Sequence, residues 1–427
     1  MMRLLVSHMK PFQSWAIASA VFHLLTLVAA EFILPTPQDP RFMLNWLEMA
    51  SERGFLSVYS WTDQEVADRF NGGFNANYPP LYFWFFHPLY SALQMIGIWP
   101  VWPSPGINLF FRLPIAVGQW LLFLAVLRQT PPSRSARGVA FAFFSVNPAL
   151  LLAGPVWGQF DVLLWGIMYF SLGHQAQGRD LGAGVLSGFG AMSKPQFLLF
   201  APLVVFLSLR RHSLTGFGKW GLGFALVVVA LAAPFALSTG TAWLRAGYSR
   251  AATEGAVGVT STAFNFWWVA HAAGIAAMDS DRVFGVTCKH FGMLVVAVVG
   301  GLAGLLYVVG RPRSWVGLST VYLLACFLFL TGLSERFLVF GAASAAAWAV
   351  FDRRVLIPAS LLNCLLVVNL LHNCLHQPAS RWGGFVTPEI ADVVSLTASG
   401  LAVVCWTWLA AAYLFGGPND ASPKHAS

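Results

Sequence analysis

Only 10% of the residues in this chain are charged, so the positions of its ionisable side chains stand out. The stretch "TPQDPRFMLNWLEMASERGFLSVY" (36–59) carries Asp39, Arg41, Glu48, Glu52 and Arg53 directly after the apolar run "SWAIASAVFHLLTLVAA" (14–30). Further along, "LFFRLPIAV" (109–117) holds Arg112, "GPVWGQFD" (154–161) holds Gln159 and Asp161, and "MSKPQF" (192–197) holds Lys194 and Gln196. "STAFNFWW" (261–268) supplies Asn265 and Trp267, and "LSERF" (333–337) supplies Glu335 and Arg336. A carboxylate within hydrogen-bond reach of a hydroxyl takes its proton. A preorganised cation is most valuable where negative charge grows during a reaction. Asp39 is the carboxylate candidate, and Arg336, Lys194 and Arg112 are the cation candidates. Trp46, Tyr78 and Trp267 offer flat faces for stacking on a ligand.

Each of these residues also has a purely structural reading. Adjacent Glu335 and Arg336 form an ion pair at a helix start, Lys194 snorkels to a membrane interface, and Asp161 caps the helix that follows it while Gln159 satisfies a carbonyl. Glu48, Glu52 and Arg53 suit the solvated face of an amphipathic interfacial helix. Asp39, just before Pro40, suits the N-cap of that helix.

The elements that must position these residues follow from composition. The chain has 427 residues and is 57% hydrophobic, against about 45–50% apolar and about 25% charged in soluble domains. Apolar runs near the ~20 residues needed to cross ~30 Å of hydrocarbon recur along it. This pattern predicts an all-α polytopic membrane protein, a single membrane-embedded domain over 1–427. Its expected parts are an outer loop at 35–107 and a transmembrane bundle at 108–415. The expected spans are 13–34, 108–127, 138–153, 160–174, 181–193, 196–209, 220–238, 287–309, 315–333, 337–351, 355–371 and 391–415, about 12 in all (11–13). The first apolar run exceeds the ~7–15 residues of a signal-peptide core, so it reads as a span.

Two further apolar stretches decide the topology. If "YPPLYFWFFHPLYSALQMIGIW" (78–99) crosses, "RQTPPSRSAR" (128–137) falls on the side opposite the basic N-terminus, against the positive-inside rule. Its Pro-Pro start and aromatic load suit an interfacial helix, as does the short "NFWWVAHAAGIAAM" (265–278). With both outside the bilayer, fourteen of the 25 basic residues share the cytoplasmic loops with three of the 17 acids. The segment 181–209 reads as two short spans joined at "SKPQ" or one broken helix, and two spans keep "QGRD" and "RRH" on one side. Cys288, Cys326, Cys364, Cys374 and Cys405 show no CxxC spacing and read as small core residues. The net charge of +8 sits in short loops and does not call for nucleic acid.

The ordered motifs resemble those of the C-type (GT-C) membrane glycosyltransferases that use polyprenyl-phosphate sugars. The pattern is most similar to that of the dolichyl-phosphate-glucose-dependent glucosyltransferases and their bacterial relatives. In "DPRFMLNWLE", Asp39, Trp46 and Glu48 reproduce the spacing of a catalytic acid, Trp and Glu in the family's first outer loop. "NYPPLYFW" (77–84) resembles its Tyr-Pro-Pro helix and "LFFRLPIAV" its Arg-bearing second span. "WGQFD", "SKPQF", "STAFNFWW" and "LSERF" follow in the family's order. Asn77 stands where an acid often precedes Tyr-Pro-Pro, and Ser334 where His is usual.

The resemblance implies an inverting hexosyltransferase with no metal or other cofactor. It would move a sugar from a polyprenyl-phosphate donor to a lipid-linked or cell-envelope glycan acceptor at the outer face of the membrane. Asp39 would be the base, and Arg336, Lys194 and Arg112 would hold the donor phosphate. Trp46, Glu48, Tyr78, Gln159, Asp161, Gln196, Asn265, Trp267 and Glu335 would line the substrates. A transporter or flippase of lipid-linked sugars is the alternative, although transporters place charges at the bilayer midplane and these gather at one face. The lack of any Asn-x-Ser/Thr acceptor and the short loops favour a bacterial plasma membrane over the endoplasmic reticulum.

Overall fold

The computed structural model describes residues 11–33, 38–70, 76–98, 105–249, 258–260, 262–310, 314–376 and 388–416. It is almost wholly helical. The long elements are α1 (Pro11–Ile33), α2 (Gln38–Arg53), α3 (Asp63–Phe70), α4 (Leu81–Met95), α5 (Pro105–Gln129), α6 (Arg134–Phe144) and α7 (Asp161–Ala176). There follow α8 (Asp180–Ser193), α9 (Ala201–Arg210), α10 (Leu214–Thr239), α11 (Phe266–Ala272), α12 (Cys288–Val309), α13 (Trp315–Phe329), α14 (Leu338–Phe351), α15 (Leu356–His376) and α16 (Pro388–Phe415). Small polar residues start many of them, as unsatisfied first-turn N–H groups require. Ser133 accepts from Ala136, Ser213 from Gly216, Thr287 from His290 and Ser314 from Gly317.

Among the described residues, seven helical stretches are long and apolar enough to cross a bilayer: Phe12–Ala30, Asn108–Gln129, Arg134–Val156, Leu214–Thr239, Cys288–Val309, Arg353–Asn373 and Ile390–Phe415. The protein is therefore an all-α polytopic membrane protein. The other expected spans are helical but shorter. α7, α8 and α14 have 16, 14 and 14 residues, or about 21–24 Å at 1.5 Å per residue. Residues 265–278 contain only the seven-residue α11, about 10 Å long, and 78–99 contain the 15-residue α4.

The described residues fall into two compact units, one of Met1–Pro35, Arg112–Leu163 and Ala256–Ser427, the other of Thr36–Phe111 and Leu164–Gly255. In the first, α1 and α5 run antiparallel: the Trp120 indole donates to the Ala16 carbonyl (3.1 Å), and the Arg128 guanidinium lies 6.0 Å from the Phe12 ring. The chain thus leaves α1 and returns along α5 from the same end. α12 to α16 form an up-down bundle. Tyr413, near the end of α16, donates to Ala303 of α12 and packs against Gly317 of α13. At the opposite end, Trp267 of α11 donates to Phe329 of α13, and Trp268 donates to Ser395 of α16.

In the second unit, α8 and α9 form a hairpin. Asp180 at the start of α8 pairs with Arg211 just past α9, and Arg211 also donates to the Gln175 carbonyl (3.0 Å). This places "QGRD" and "RRH" together, the two-segment arrangement expected from charge. α10 packs on α8 with almost no side chain between them, because Gly184, Gly188 and Gly223 line the contact. Small residues permit such close backbone approach in membrane helices.

Candidate functional site

Within the second unit, several charges of the loop pair with residues of the helix that follows it. Arg53 pairs with Glu65 at 2.7 Å, Arg69 with Glu52 at 2.7 Å, and Arg41 donates to the Phe70 carbonyl at 3.1 Å. Arg53 also stacks 3.9 Å over Trp61. Three of the five charges in the quoted stretch therefore clamp α3 onto α2. The Arg53 contact holds the Glu65 carboxyl down at about 2. Glu48 is left half-buried, and desolvation raises its pKa, with Arg69 opposing and Glu52 reinforcing the shift. α2 begins at Gln38, so Asp39 lies in its first turn and not at the N-cap; its side chain is outside the described residues.

Trp46 is 3% exposed, packed 5.3 Å from the Tyr78 ring and 5.9 Å from the Tyr82 ring. These two rings cover it within the packed loop. The half-buried Tyr78 accepts at its carbonyl from the Tyr59 hydroxyl (2.6 Å). Lys194 sits where α8 stops, with an extended backbone (φ −155, ψ 145) that Pro195 follows into a 3-10 turn. Its side chain is 3% exposed and its Nζ lies 5.3 Å from the Tyr78 ring, within cation–π range. The ammonium points inward, against the snorkelling alternative. Gln196 is half-buried two residues on. The Tyr248 hydroxyl donates to the Ala191 carbonyl and holds the end of α8 in place.

In the first unit, Arg112 is 1% exposed on α5, and Gly158, at φ +78, lets the chain turn beside its stem. Gln159 and Asp161 are buried immediately after that turn, and Asp161 opens α7. Asn265 is the N-cap of α11: its side-chain oxygen accepts from the Trp267 and Trp268 N–H groups, and its amide donates to Phe327. Trp267 is fully buried with Val259, Ala270, Ala276 and Cys288, and its indole donates to the Phe329 carbonyl. In this arrangement both residues tie α11 to the end of α13. Glu335 is buried, accepts from the Thr262 hydroxyl, and lies 3.7 Å from Arg336. The ion-pair alternative therefore describes Glu335, while the Arg336 side chain keeps 28% of its surface exposed.

The chain matches no known family model and no curated protein. What the geometry joins is Lys194 with Tyr78 and Trp46 in one unit, and Arg112 with the Gly158 turn and Thr262 with Glu335 in the other. Tyr59, Tyr82 and Thr262 were not among the expected site residues, yet each contacts one that was; Tyr248 was not expected either and holds Ala191, three residues before Lys194. Tyr82 lies one helical turn after Tyr78 in "NYPPLYFW", and Thr262 stands in "STAFNFWW" itself. Those two were legible as neighbours of the motifs. Tyr248, in "WLRAGYSR", had no such signal.

Proposed function

We propose that the protein is an inverting glycosyltransferase that moves a hexose from a polyprenyl-phosphate donor to a lipid-linked or cell-envelope glycan acceptor. The observation that carries the reading is Lys194, an ammonium buried at a helix break and laid on a tyrosine ring in a chain with few charges. A buried cation at membrane depth is costly and marks an anion or a polar path. Arg112 is a second one, almost completely buried on α5.

In the reaction, the acceptor hydroxyl oxygen attacks the anomeric carbon as the bond from that carbon to the phosphate oxygen breaks. The hydroxyl proton passes to Asp39, and the polyprenyl phosphate leaves as a monoester carrying the electron pair. Negative charge grows on this leaving group, so a preorganised cation stabilises the transition state more than the ground state; Lys194 is the candidate in the second unit, and Arg336 and Arg112 are the candidates in the first. One carboxylate suffices for an inverting displacement. Glu48, whose pKa is raised by burial, contributes acceptor binding. Trp46, Asn265, Trp267 and Glu335 set the positions of their neighbours.

The topology that suits this reading has about twelve spans, with 35–107 at the outer face. The antiparallel α1 and α5 and the α8–α9 hairpin support it, because they bring Arg128 to the end where α1 starts, and Arg211 to Asp180. In a bacterial plasma membrane those ends would be cytoplasmic. Purified protein in lipid vesicles, given radiolabelled polyprenyl-phosphate hexoses and envelope glycan acceptors, should release polyprenyl phosphate and form an inverted glycoside. Movement of donor lipid between leaflets without release would establish a flippase instead.

A further inference from the structure

The first unit carries a feature that the transferase reading leaves unused. Two short strands, β1 (Arg282–Val283) and β2 (Val286–Thr287), pair antiparallel just ahead of α12. At their tip stand Phe284 and Gly285, at φ +53 and +80, the two-residue turn with both central residues left-handed. Such turns favour Asn-Gly, and a bulky aromatic at positive φ is a genuine outlier. Phe284 is nevertheless there, 89% exposed, with its ring 6.1 Å from that of Phe291.

The hairpin is fixed to the first turn of α12. Cys288 N–H donates to the Asp281 carbonyl (2.7 Å) and Lys289 N–H to that of Asp279 (3.0 Å). The Asp281 carboxylate accepts from the Ala277 and Met278 N–H groups at 2.8 and 2.9 Å, and these bonds hold its pKa down. α12 is one of the seven helices of crossing length, and its outward side is apolar, with Leu294 at 57%, Leu302 at 58% and Leu305 at 54% exposed. A hairpin tied to the first turn of such a helix stands at the level where bilayer meets water. Phe284, Ile275 and Val286 are exposed on this segment, with Phe284 beside Phe291 of α12, and Arg282 and Lys289 are exposed as well.

We infer that residues 275–289 form a bilayer-interface wedge, with Phe284, Ile275 and Val286 in the boundary between headgroups and acyl chains and Arg282 and Lys289 against lipid phosphates. Aromatic rings concentrate at that depth, and basic side chains gain from anionic headgroups. The occupant of the surface is the lipid leaflet at the amino-terminal end of α12. The wedge needs neither the sugar chemistry nor the identity of the donor.

A nitroxide attached to Phe284→Cys, in a background with Cys364 and Cys374 replaced by Ala, tests this in vesicles of phosphatidylcholine and phosphatidylglycerol. Gln64→Cys serves as the water-exposed reference. Collision with oxygen should exceed collision with a water-soluble nickel chelate several-fold at position 284, with the opposite order at 64. Nickel accessibility at 284 equal to that at 64 would overturn the inference by putting the tip in water. Low accessibility to both reagents would also overturn it, since a protein contact would then cover the tip.

Discussion

Replacing Gly184 by Ala probes the α8–α10 contact that supports the helix end bearing Lys194. A Cβ built at Gly184 would stand 2.8 Å from the Trp220 carbonyl carbon and 2.9 Å from the Phe224 nitrogen, with the Trp220 oxygen nearer still. Ordinary contact begins at 3.4 Å, so the carbonyl carbon alone requires α8 and α10 to part by 0.6 Å (3.4 minus 2.8), and the nearer oxygen requires more. The obstacle is backbone and cannot rotate away. Gly188 faces Val227 and Gly223 faces Leu181 along the same seam, so all three contacts open together. A gap of 0.5–1 Å forfeits roughly a quarter to a half of each dispersion well, and overpacking costs about 1–3 kcal/mol. The helix-propensity gain of Ala over Gly, about 1 kcal/mol, offsets part of this. We expect a net loss of about 1–2 kcal/mol for Gly184→Ala and more for Gly184→Val. Gly221→Ala is the control: it lies on α10 with nothing within 4 Å of its Cβ position, so propensity alone should leave it neutral or slightly stabilised. Thermal unfolding of the three variants in one detergent provides the comparison. A Gly184→Ala midpoint at or above that of Gly221→Ala would refute close backbone packing at this seam.

Asp39→Asn should lower glycosyl transfer by about 10²–10⁴-fold, the usual cost of losing a general base, with donor binding retained; near-parental transfer would remove Asp39 as the base. Arg336→Ala should lower kcat by about 10²-fold or more, and Arg336→Lys should recover only part, because an ammonium lacks the planar fork of a guanidinium. Glu65 has its pKa lowered from 4.5 to about 2, so its contribution to stability is full above the unfolded value and disappears as pH falls from 4.5 toward 2. Amide exchange over Asp63–Phe70 should accelerate through that window, and Glu65→Gln should abolish the pH dependence. Glu48 has the opposite sign: its raised pKa stabilises the fold below the unfolded value, and that contribution is lost as pH rises through the folded one, so Glu48→Gln should raise the neutral-pH melting midpoint. For topology, an impermeant thiol reagent applied to intact cells should label Gln64→Cys and spare Ser133→Cys; labelling of both would remove the proposed orientation.

The sequence alone determined the solvent of this protein and the helices that meet it. Length and hydropathy of runs such as 214–239 and 288–309 are local properties, because a helix in hydrocarbon must satisfy its own backbone groups and shed its charges. The same local logic exposed 265–278 as too short to span and the paired charges around Arg211 as sharing one side. Burial and pairing were decided only by the tertiary structure. Trp46 and Trp267 read as stacking faces by residue type, but whether an aromatic ring is open depends on what packs against it, and Tyr78, Tyr82 and Phe291 come from elsewhere in the chain. Arg53 and Glu52 read as part of a charged active loop, yet their partners Glu65 and Arg69 lie twelve and seventeen residues on and are brought to them by the turn between α2 and α3. Lys194 reads equally well as an interfacial anchor or an inward cation. The break after α8 decides it, because the extended backbone there sends the side chain onto Tyr78, a residue more than a hundred positions earlier in the chain.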